Sequence, residues 1–206
     1  MNKRFFTLPP ERQSAILNAA FKVFSSSDYK HASMQAIADM GRISKSLLFH
    51  YFGNKQGLYL FLWQYAAKQT AQSIQRFRTS ETDNPFEMFR RTTRAKCSTM
   101  RDFPYLYAFA SRAYYETDPS IKSAIQKDIA TYTQSGRLLF EQHCDVKYLA
   151  EGIDAQTLYQ DMLWLSDGYM LKAYNNGIVD ANVIEHDFME IINRWEKHWG
   201  NEGAKQ

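Results

Sequence analysis

Residues 33–55 read SMQAIADMGRISKSLLFHYFGNK, and this stretch decides the fold of the N-terminal part of the chain. Ser33 can cap a helix, because its hydroxyl accepts a hydrogen bond from a free N–H of the first turn. The next residues repeat an apolar side chain at the spacing of one buried helix face: Met34, Ile37 and Ala38. Gly41 is expected to end this helix, since glycine tolerates a positive φ.

A second helix is predicted directly after the turn. Ser44 is a suitable N-cap, and the helix should run to Phe52. Leu48 and Phe52 lie four residues apart, so they share a face that points back onto the first helix. The other face carries Lys45, Ser46, Phe49 and His50. Asn54 then caps a further helix and places Lys55 in its first turn, where backbone amides favour phosphate.

Two short helices joined by such a turn fit a helix-turn-helix, whose second helix enters the major groove of DNA. An ordinary helical hairpin in an all-α protein is the alternative that spacing alone leaves open. Charge favours DNA binding. Residues 1–55 hold eight lysines and arginines against three acidic residues, a net charge of +5, whereas the whole chain carries +3. The positive charge therefore lies with the helix pair, as a phosphate-binding surface requires.

The segment from Ala20 to Leu58 resembles the DNA-binding domain of tetracycline-repressor-type (TetR/AcrR) transcription regulators. The residues that carry the resemblance are the helix Ile16–Phe24 with Ala19 and Ala20, then Ile37-Ala38, Ile43-Ser44-Lys45, Leu48-Phe49-His50-Tyr51-Phe52 and Lys55. Several spaced motifs are more specific than one short pattern. About a quarter of the chain is covered.

The resemblance implies a homodimer that binds a palindromic operator on double-stranded DNA. Position by position, it implies DNA contacts for Lys45, Ser46, Phe49, His50, Tyr51 and Lys55, and phosphate contacts at the helix starts for Ser33 and Ser44. Phe52 is expected in the core, and Tyr51 at a phosphate. A plain surface or core role remains the alternative for each of these residues.

Three residues depart from the choices that are common in the family. Arg42 stands where glycine is frequent, which predicts a left-handed arginine at a cost on the order of 1 kcal/mol, offset by attraction to phosphate. Leu47 replaces threonine and removes a hydroxyl. Phe49 replaces tyrosine, so it can touch a thymine methyl group but cannot donate to phosphate.

The rest of the chain is predicted to be helical as well, which gives an all-α fold of about nine helices. Helix starts are expected near Pro10, Asn54, Pro85, Pro104, Pro119, Asp154 and Ala181. The expected organisation is a three-helix DNA-binding domain over residues 1–55 and a helical ligand-binding and dimerisation domain over residues 56–206.

The last two helices carry apolar stripes at helical spacing. The residues expected at a dimer interface are Leu158, Met162 and Leu165 on the first, and Ile184, Phe188, Ile191 and Trp195 on the second. The intramolecular core is the alternative for part of each stripe. The resemblance implies that these two helices pair across a two-fold axis into a four-helix bundle.

An aromatic-rich region lies between the N-terminal domain and these last helices. Pockets for small organic molecules are mainly apolar with a few polar groups, which tyrosine can supply. The candidate ligand contacts are Phe103, Tyr105, Phe109, Tyr114, Phe140, Trp164 and Tyr169, with core packing as the alternative. Glu116, Asp161 and Asp167 are candidate charge partners for a cationic ligand, or solvated surface residues.

A basic group, Arg90, Arg91, Arg94, Lys96 and Arg101, could extend the phosphate-binding surface. Its spacing wraps around a helix instead of forming one stripe, which favours a solvated helix face.

The sequence gives little support for an enzyme or for a metal-binding protein. It shows no glycine-rich phosphate loop, nucleophile elbow or metal-binding helix motif, so neither catalysis, a cofactor nor a metal site is expected. No apolar run reaches the roughly 20 residues of a membrane span. Cys97 and Cys144 are too few for a disulfide framework, and the start of the chain does not resemble a signal peptide. A cytoplasmic protein with free thiols is expected, and a redox role for the two cysteines is a minor alternative.

The function predicted from the sequence is a homodimeric DNA-binding transcriptional regulator, foremost a repressor that a small apolar or aromatic ligand releases from its operator. An architectural or division-type DNA-binding protein of the same fold, without a small-molecule inducer, is the alternative.

Overall fold

Nine α-helices make up most of residues 3–204, the part of the chain that the computed structural model describes. A 3₁₀ turn over Lys3–Thr7 precedes them. The helices are α1 (Pro10–Ser26), α2 (Met34–Met40), α3 (Lys45–Phe52), α4 (Lys55–Arg76), α5 (Pro85–Asp102), α6 (Leu106–Tyr114), α7 (Pro119–His143), α8 (Ala155–Asn175) and α9 (Ala181–Trp199). Within residues 3–204, β-structure is limited to one isolated antiparallel bridge between Leu149 and Gly200. The all-α prediction is confirmed.

Local capping residues explain why these helices begin where they do. The Asn84 side chain accepts hydrogen bonds from the backbone N–H groups of Phe86 and Glu87, at 2.9 and 3.2 Å. Asp154 accepts from the N–H of Thr157 at 2.8 Å. Such bonds satisfy donors that a helix start leaves free. One predicted start is wrong, because Pro104 lies in a turn and α6 begins two residues later, at Leu106.

The chain divides into two compact units, and the division does not follow the sequence order. The first unit comprises the chain up to Gln69 together with Asp102–Ile129. The second comprises Thr70–Arg101 and the chain from Ala130 onward. All three crossings between the units fall inside helices: one lies in α4, one before the last residue of α5 and one in α7. The functional division at residue 55 stays a prediction.

Aromatic rings fill the core of the first unit. Phe24 and Phe109 both contact the ring of Tyr59, each with centroids 4.9 Å apart. Phe21 contacts Phe103 with centroids 5.9 Å apart. Helix α1 packs against α2 and α6, so α6 belongs to the structural support of the helix-turn-helix.

The second unit combines aromatic packing with ion pairs between helices. Phe89 of α5 stacks on Phe140 of α7, with centroids 4.9 Å apart. Arg90 of α5 forms a partly buried ion pair with Glu196 of α9, and Arg101 reaches Glu185 at 2.6 Å. These pairs hold α5 and α9 together along their polar sides.

Candidate DNA-binding face

The two short helices have the caps that the sequence predicts. Ser33 Oγ accepts a hydrogen bond from Ala36 N at 3.2 Å. Ser44 Oγ accepts one from Leu47 N at the same distance, and it also lies 3.1 Å from Ser46 Oγ. Both caps fix where their helix starts.

The turn between α2 and α3 places its strained residue at Arg42 instead of Gly41. Gly41 has φ −77°, whereas Arg42 has φ 51° and so adopts the predicted left-handed conformation. Gly41 is needed for space, since an added Cβ would lie 3.0 Å from Ile37 O and 3.5 Å from Ile16 Cα. The Arg12 guanidinium donates to Arg42 O at 2.8 Å and supports the turn.

Helix α3 has an apolar inner face and an exposed outer face. Leu48, Tyr51 and Phe52 are buried on the inner face. The α3 outer face consists of Lys45, Ser46, Leu47, Phe49 and His50, of which all but the half-buried Phe49 are exposed. Lys45 Nζ lies 5.9 Å from the centroid of the Phe49 ring. This face offers one positive charge, one hydroxyl, one imidazole and two apolar contacts to a groove.

Tyr51 differs from the other predicted contacts because its ring belongs to the core. Only 7% of the residue is exposed, and its ring contacts Phe5 with centroids 5.8 Å apart. Its contact with phosphate stays a prediction, and the small accessible part of the residue would have to make it.

Lys55 ties two segments of the first unit together. Its ammonium donates to Lys30 O at 2.9 Å and lies 5.1 Å from the centroid of the Tyr29 ring. Burial lowers the pKa of Lys55, against the opposing effect of Asp28 and Asp118. A phosphate contact through Lys55 therefore has to compete with bonds that the folded chain already makes.

Sequence reasoning missed Leu47 as a candidate base contact. It is 40% exposed and lies on the α3 outer face, between the exposed Ser46 and the buried Leu48. An apolar side chain can contact the methyl group of thymine in the major groove. Helical spacing could have identified it, because Leu47 precedes Leu48 by one residue and so lies off the buried line that Leu48 and Phe52 share.

Comparison with known proteins gives a family for part of the chain. Residues 16–61 match the family model described as "Bacterial regulatory proteins, tetR family", and these residues run from α1 through the start of α4. This segment is similar to TetR-family regulators.

Relatives of known role match a larger part of the chain. It is 28% identical over 135 residues to the HTH-type transcriptional activator FasR of Mycolicibacterium smegmatis, a match that covers 65% of this chain and 59% of FasR. It thus spans about three-fifths of that relative's length.

Solved structures share the fold at low identity. A TetR family transcriptional regulator from Chloroflexus aurantiacus matches with a TM-score of 0.61 and 18% identity, over 98% of this chain and 99% of that one. FadR from Bacillus subtilis, solved in complex with stearoyl-CoA, matches with a TM-score of 0.60 and 16% identity, over 86% of this chain and 96% of FadR.

The aromatic residues predicted to bind a ligand do not form one set. Phe103, Tyr105, Phe109 and Tyr114 belong to the first unit, and Phe140, Trp164 and Tyr169 belong to the second. Phe103 and Phe109 pack in the core of the first unit, Tyr114 and Trp164 are exposed, and Tyr169 donates to Asp187 at 2.6 Å. Ligand contact by these residues stays a prediction.

The residues predicted at the dimer interface lie mostly inside the second unit. Leu158, Met162, Ile184, Phe188 and Ile191 are buried within one chain, and Leu165 and Trp195 are half-buried. Their interface role stays a prediction, but a partner could reach little of their surface. A different line on α8 is apolar and exposed: Trp164 is 67% accessible, Leu171 is exposed, and an added Cβ on Gly168 would touch nothing within 4 Å.

The remaining candidate groups are the two cysteines and the potential metal ligands. Burial raises the pKa of the Cys97 thiol to about 12 and that of Cys144 to about 11, and thiols that stay protonated react slowly with oxidants. Within residues 3–204, no cluster of three or more potential metal ligands forms. Over the same residues, no helix combines the length and apolarity that a membrane span requires.

Proposed function

We propose that this chain is a homodimeric DNA-binding transcriptional regulator, whose α3 outer face enters the major groove of a palindromic operator. The observation that carries the proposal is the capped, solvent-exposed face of α3 on a basic N-terminal segment, within the residues that match the TetR family. A recognition helix needs such a rigid, outward-facing surface.

A homodimer is supported by the exposed α8 line of Trp164, Gly168 and Leu171. Side chains at i, i+4 and i+7 share one helix face, and glycine in the middle of that face lets a second helix approach closely. A second copy of the chain would cover this face in a symmetric contact. Two α3 helices roughly 34–36 Å apart would then meet successive major grooves.

A small organic ligand is proposed to control DNA binding from the second unit. FadR, a fold relative, was solved with stearoyl-CoA, and the second unit here carries its own aromatic group of Phe89, Phe140 and Tyr159. The ligand would act by binding one conformation of the dimer more tightly than the other. Release of a repressor from its operator is the proposed outcome, although FasR is an activator.

Mapping the genomic sites that the chain occupies in cells tests the function. The proposal predicts a small set of sites that share a palindrome, one of them near the gene of the chain itself. Genes beside these sites change expression when the chain is deleted, and the direction of change gives the sign of regulation. Uniform coverage without a shared sequence would contradict the proposal and favour an architectural DNA-binding protein.

A further inference from the structure

Lys96 occupies an unexpected position on α5. It lies seven residues after Phe89 and four residues before Met100, so the three side chains share one line of the helix. Phe89 and Met100 are buried, as is Thr99. Lys96 therefore lies in the middle of the buried face of α5, although lysine is almost never buried without a partner.

The arginines of the same basic group lie elsewhere on the helix and already have partners. Arg90 pairs with Glu196, Arg91 with Glu87, and Arg101 with Glu185. The arginines thus form a paired polar face of α5, in which Arg90 is partly buried. Lys96 does not belong to that face, so its positive charge needs a separate explanation.

Lys96 is exposed although it lies on the buried line of α5. Its neighbours on that line, Phe89 and Met100, are buried. An exposed side chain in the middle of an otherwise buried helix face borders a gap in the packing of the second unit. In agreement with this position, surrounding protein desolvates the ammonium and lowers the pKa of Lys96.

Asp167 of α8 is the acidic residue that affects the pKa of Lys96. Asp167 opposes the lowering of the Lys96 pKa, and Lys96 in turn opposes the rise that burial causes in the pKa of Asp167. No hydrogen bond or close ion pair within residues 3–204 joins the two side chains. Three ammonium protons therefore remain available to another acceptor.

The rings near this line of α5 are apolar. Phe89 stacks on Phe140, and Phe140 contacts Tyr159 with centroids 5.2 Å apart. Apolar surface beside one accessible ammonium suits a molecule with an apolar body and a single negative charge. A dianionic group fits less well, because Asp167 already supplies one negative charge to the site.

We infer that Lys96 recognises the carboxylate of an amphiphilic organic monoanion, which is the ligand of the second unit. This inference rests on the proposed ligand-controlled function and specifies its chemical class. It replaces the cationic ligand that the aromatic residues and Asp167 suggest from sequence. Asp167 acts as the resident counter-charge, and it competes with the ligand carboxylate for the ammonium.

Calorimetric titration of the full-length chain without DNA tests the inference. The probes are two matched pairs, octanoate with octanol and naphthoate with naphthol, so that only the carboxylate differs in charge. The wild-type chain should bind at least one carboxylate more tightly than its uncharged partner. Lys96→Met should weaken the binding of that carboxylate by about tenfold or more, the size of one charge-assisted hydrogen bond. It should leave the binding of the matching alcohol unchanged.

Two further variants separate recognition from a structural role. Arg94→Met removes a positive charge from the outer side of the same helix, where Arg94 is exposed, and should leave carboxylate binding unchanged. Asp167→Asn removes the competing charge and should tighten it. Failure of the wild-type chain to bind either carboxylate, or equal binding by Lys96→Met, would overturn the inference. DNA binding is measured separately on α3 variants, so the proposed function can fail or succeed independently.

Discussion

Some residues of the first unit serve stability and others are predicted to contact DNA, and Arg42 bears on both. Its φ of 51° is unfavourable for a side chain other than glycine or asparagine. Its exposed guanidinium adds positive charge beside α3. This chain therefore accepts backbone strain in a position where its charge can attract phosphate.

Substitutions of Arg42 separate the effect of its backbone strain from the effect of its positive charge. Arg42→Gly should raise the free energy of unfolding by up to about 1 kcal/mol, because glycine adopts the left-handed conformation without a Cβ clash. Arg42→Ala keeps the strain and should give no such gain. Both variants should bind DNA more weakly and with a smaller salt dependence. Thermal unfolding and fluorescence anisotropy measure the two effects, and unchanged DNA binding in both variants would remove Arg42 from the binding surface.

Substitutions of Tyr51 separate core packing from predicted DNA contact in the same way. Its ring packs on Phe5 in the core, so Tyr51→Ala should destabilise the fold by about 3 kcal/mol. Tyr51→Phe keeps the ring and should preserve stability while weakening DNA binding several-fold, if the hydroxyl donates to phosphate. Denaturant unfolding checks the first effect and anisotropy the second. Full DNA affinity in Tyr51→Phe would assign Tyr51 to the core alone.

At the scale of elements, local signals determine the helix starts and tertiary packing determines which faces are covered. Asn84 and Asp154 cap the helices whose starts the sequence predicts near Pro85 and Asp154, because a cap needs only its own first turn. The reason for Gly41 is not visible in the local sequence, since its φ is −77° and the constraint is spatial: an added Cβ would lie 3.0 Å from Ile37 O. Likewise, the stripe containing Leu158 and Met162 marks an apolar face of α8, but periodicity alone cannot say which molecule covers it.

The N-cap of α3 should control both stability and binding. Ser44→Ala removes the acceptor for Leu47 N and should lower the free energy of unfolding by about 1 kcal/mol. Ser44→Asp retains a capping oxygen and should keep stability, but its negative charge should repel phosphate and weaken DNA binding. Calorimetry and anisotropy on both variants test this pair. Equal DNA binding by wild-type and Ser44→Asp chains would place the start of α3 away from the DNA backbone.

At the scale of the whole molecule, the proposed DNA recognition depends on two copies of the chain. Each α3 is short, with eight residues from Lys45 to Phe52, so one copy reads few bases. A symmetric pair doubles the contact area and matches a palindrome. The exposed α8 line supplies an apolar surface for pairing.

Trp164→Glu should convert the dimer into a monomer, because it places a charge within the proposed apolar contact. Sedimentation equilibrium should show half the mass of the wild-type chain, and the monomer should lose tight operator binding. Tyr114→Glu is a matched control, since Tyr114 is also exposed but lies on α6 in the first unit. Wild-type sedimentation as a monomer, or an unchanged dimer in Trp164→Glu, would reject this interface.

The most direct test of the central claim is a fluorescence-anisotropy titration of two DNA duplexes with the wild-type chain and with variants of its α3 outer face. One duplex carries the palindrome found by genomic mapping, and the other carries the same bases in scrambled order, each at two salt concentrations. The account predicts that the wild-type chain prefers the palindrome and that its affinity falls steeply with salt. It predicts that Lys45→Ala and Leu47→Ala, with the fold intact, reduce the preference for the palindrome. Equal binding of both duplexes by the wild-type chain, or an unchanged preference in both variants, would contradict the claim that α3 reads DNA.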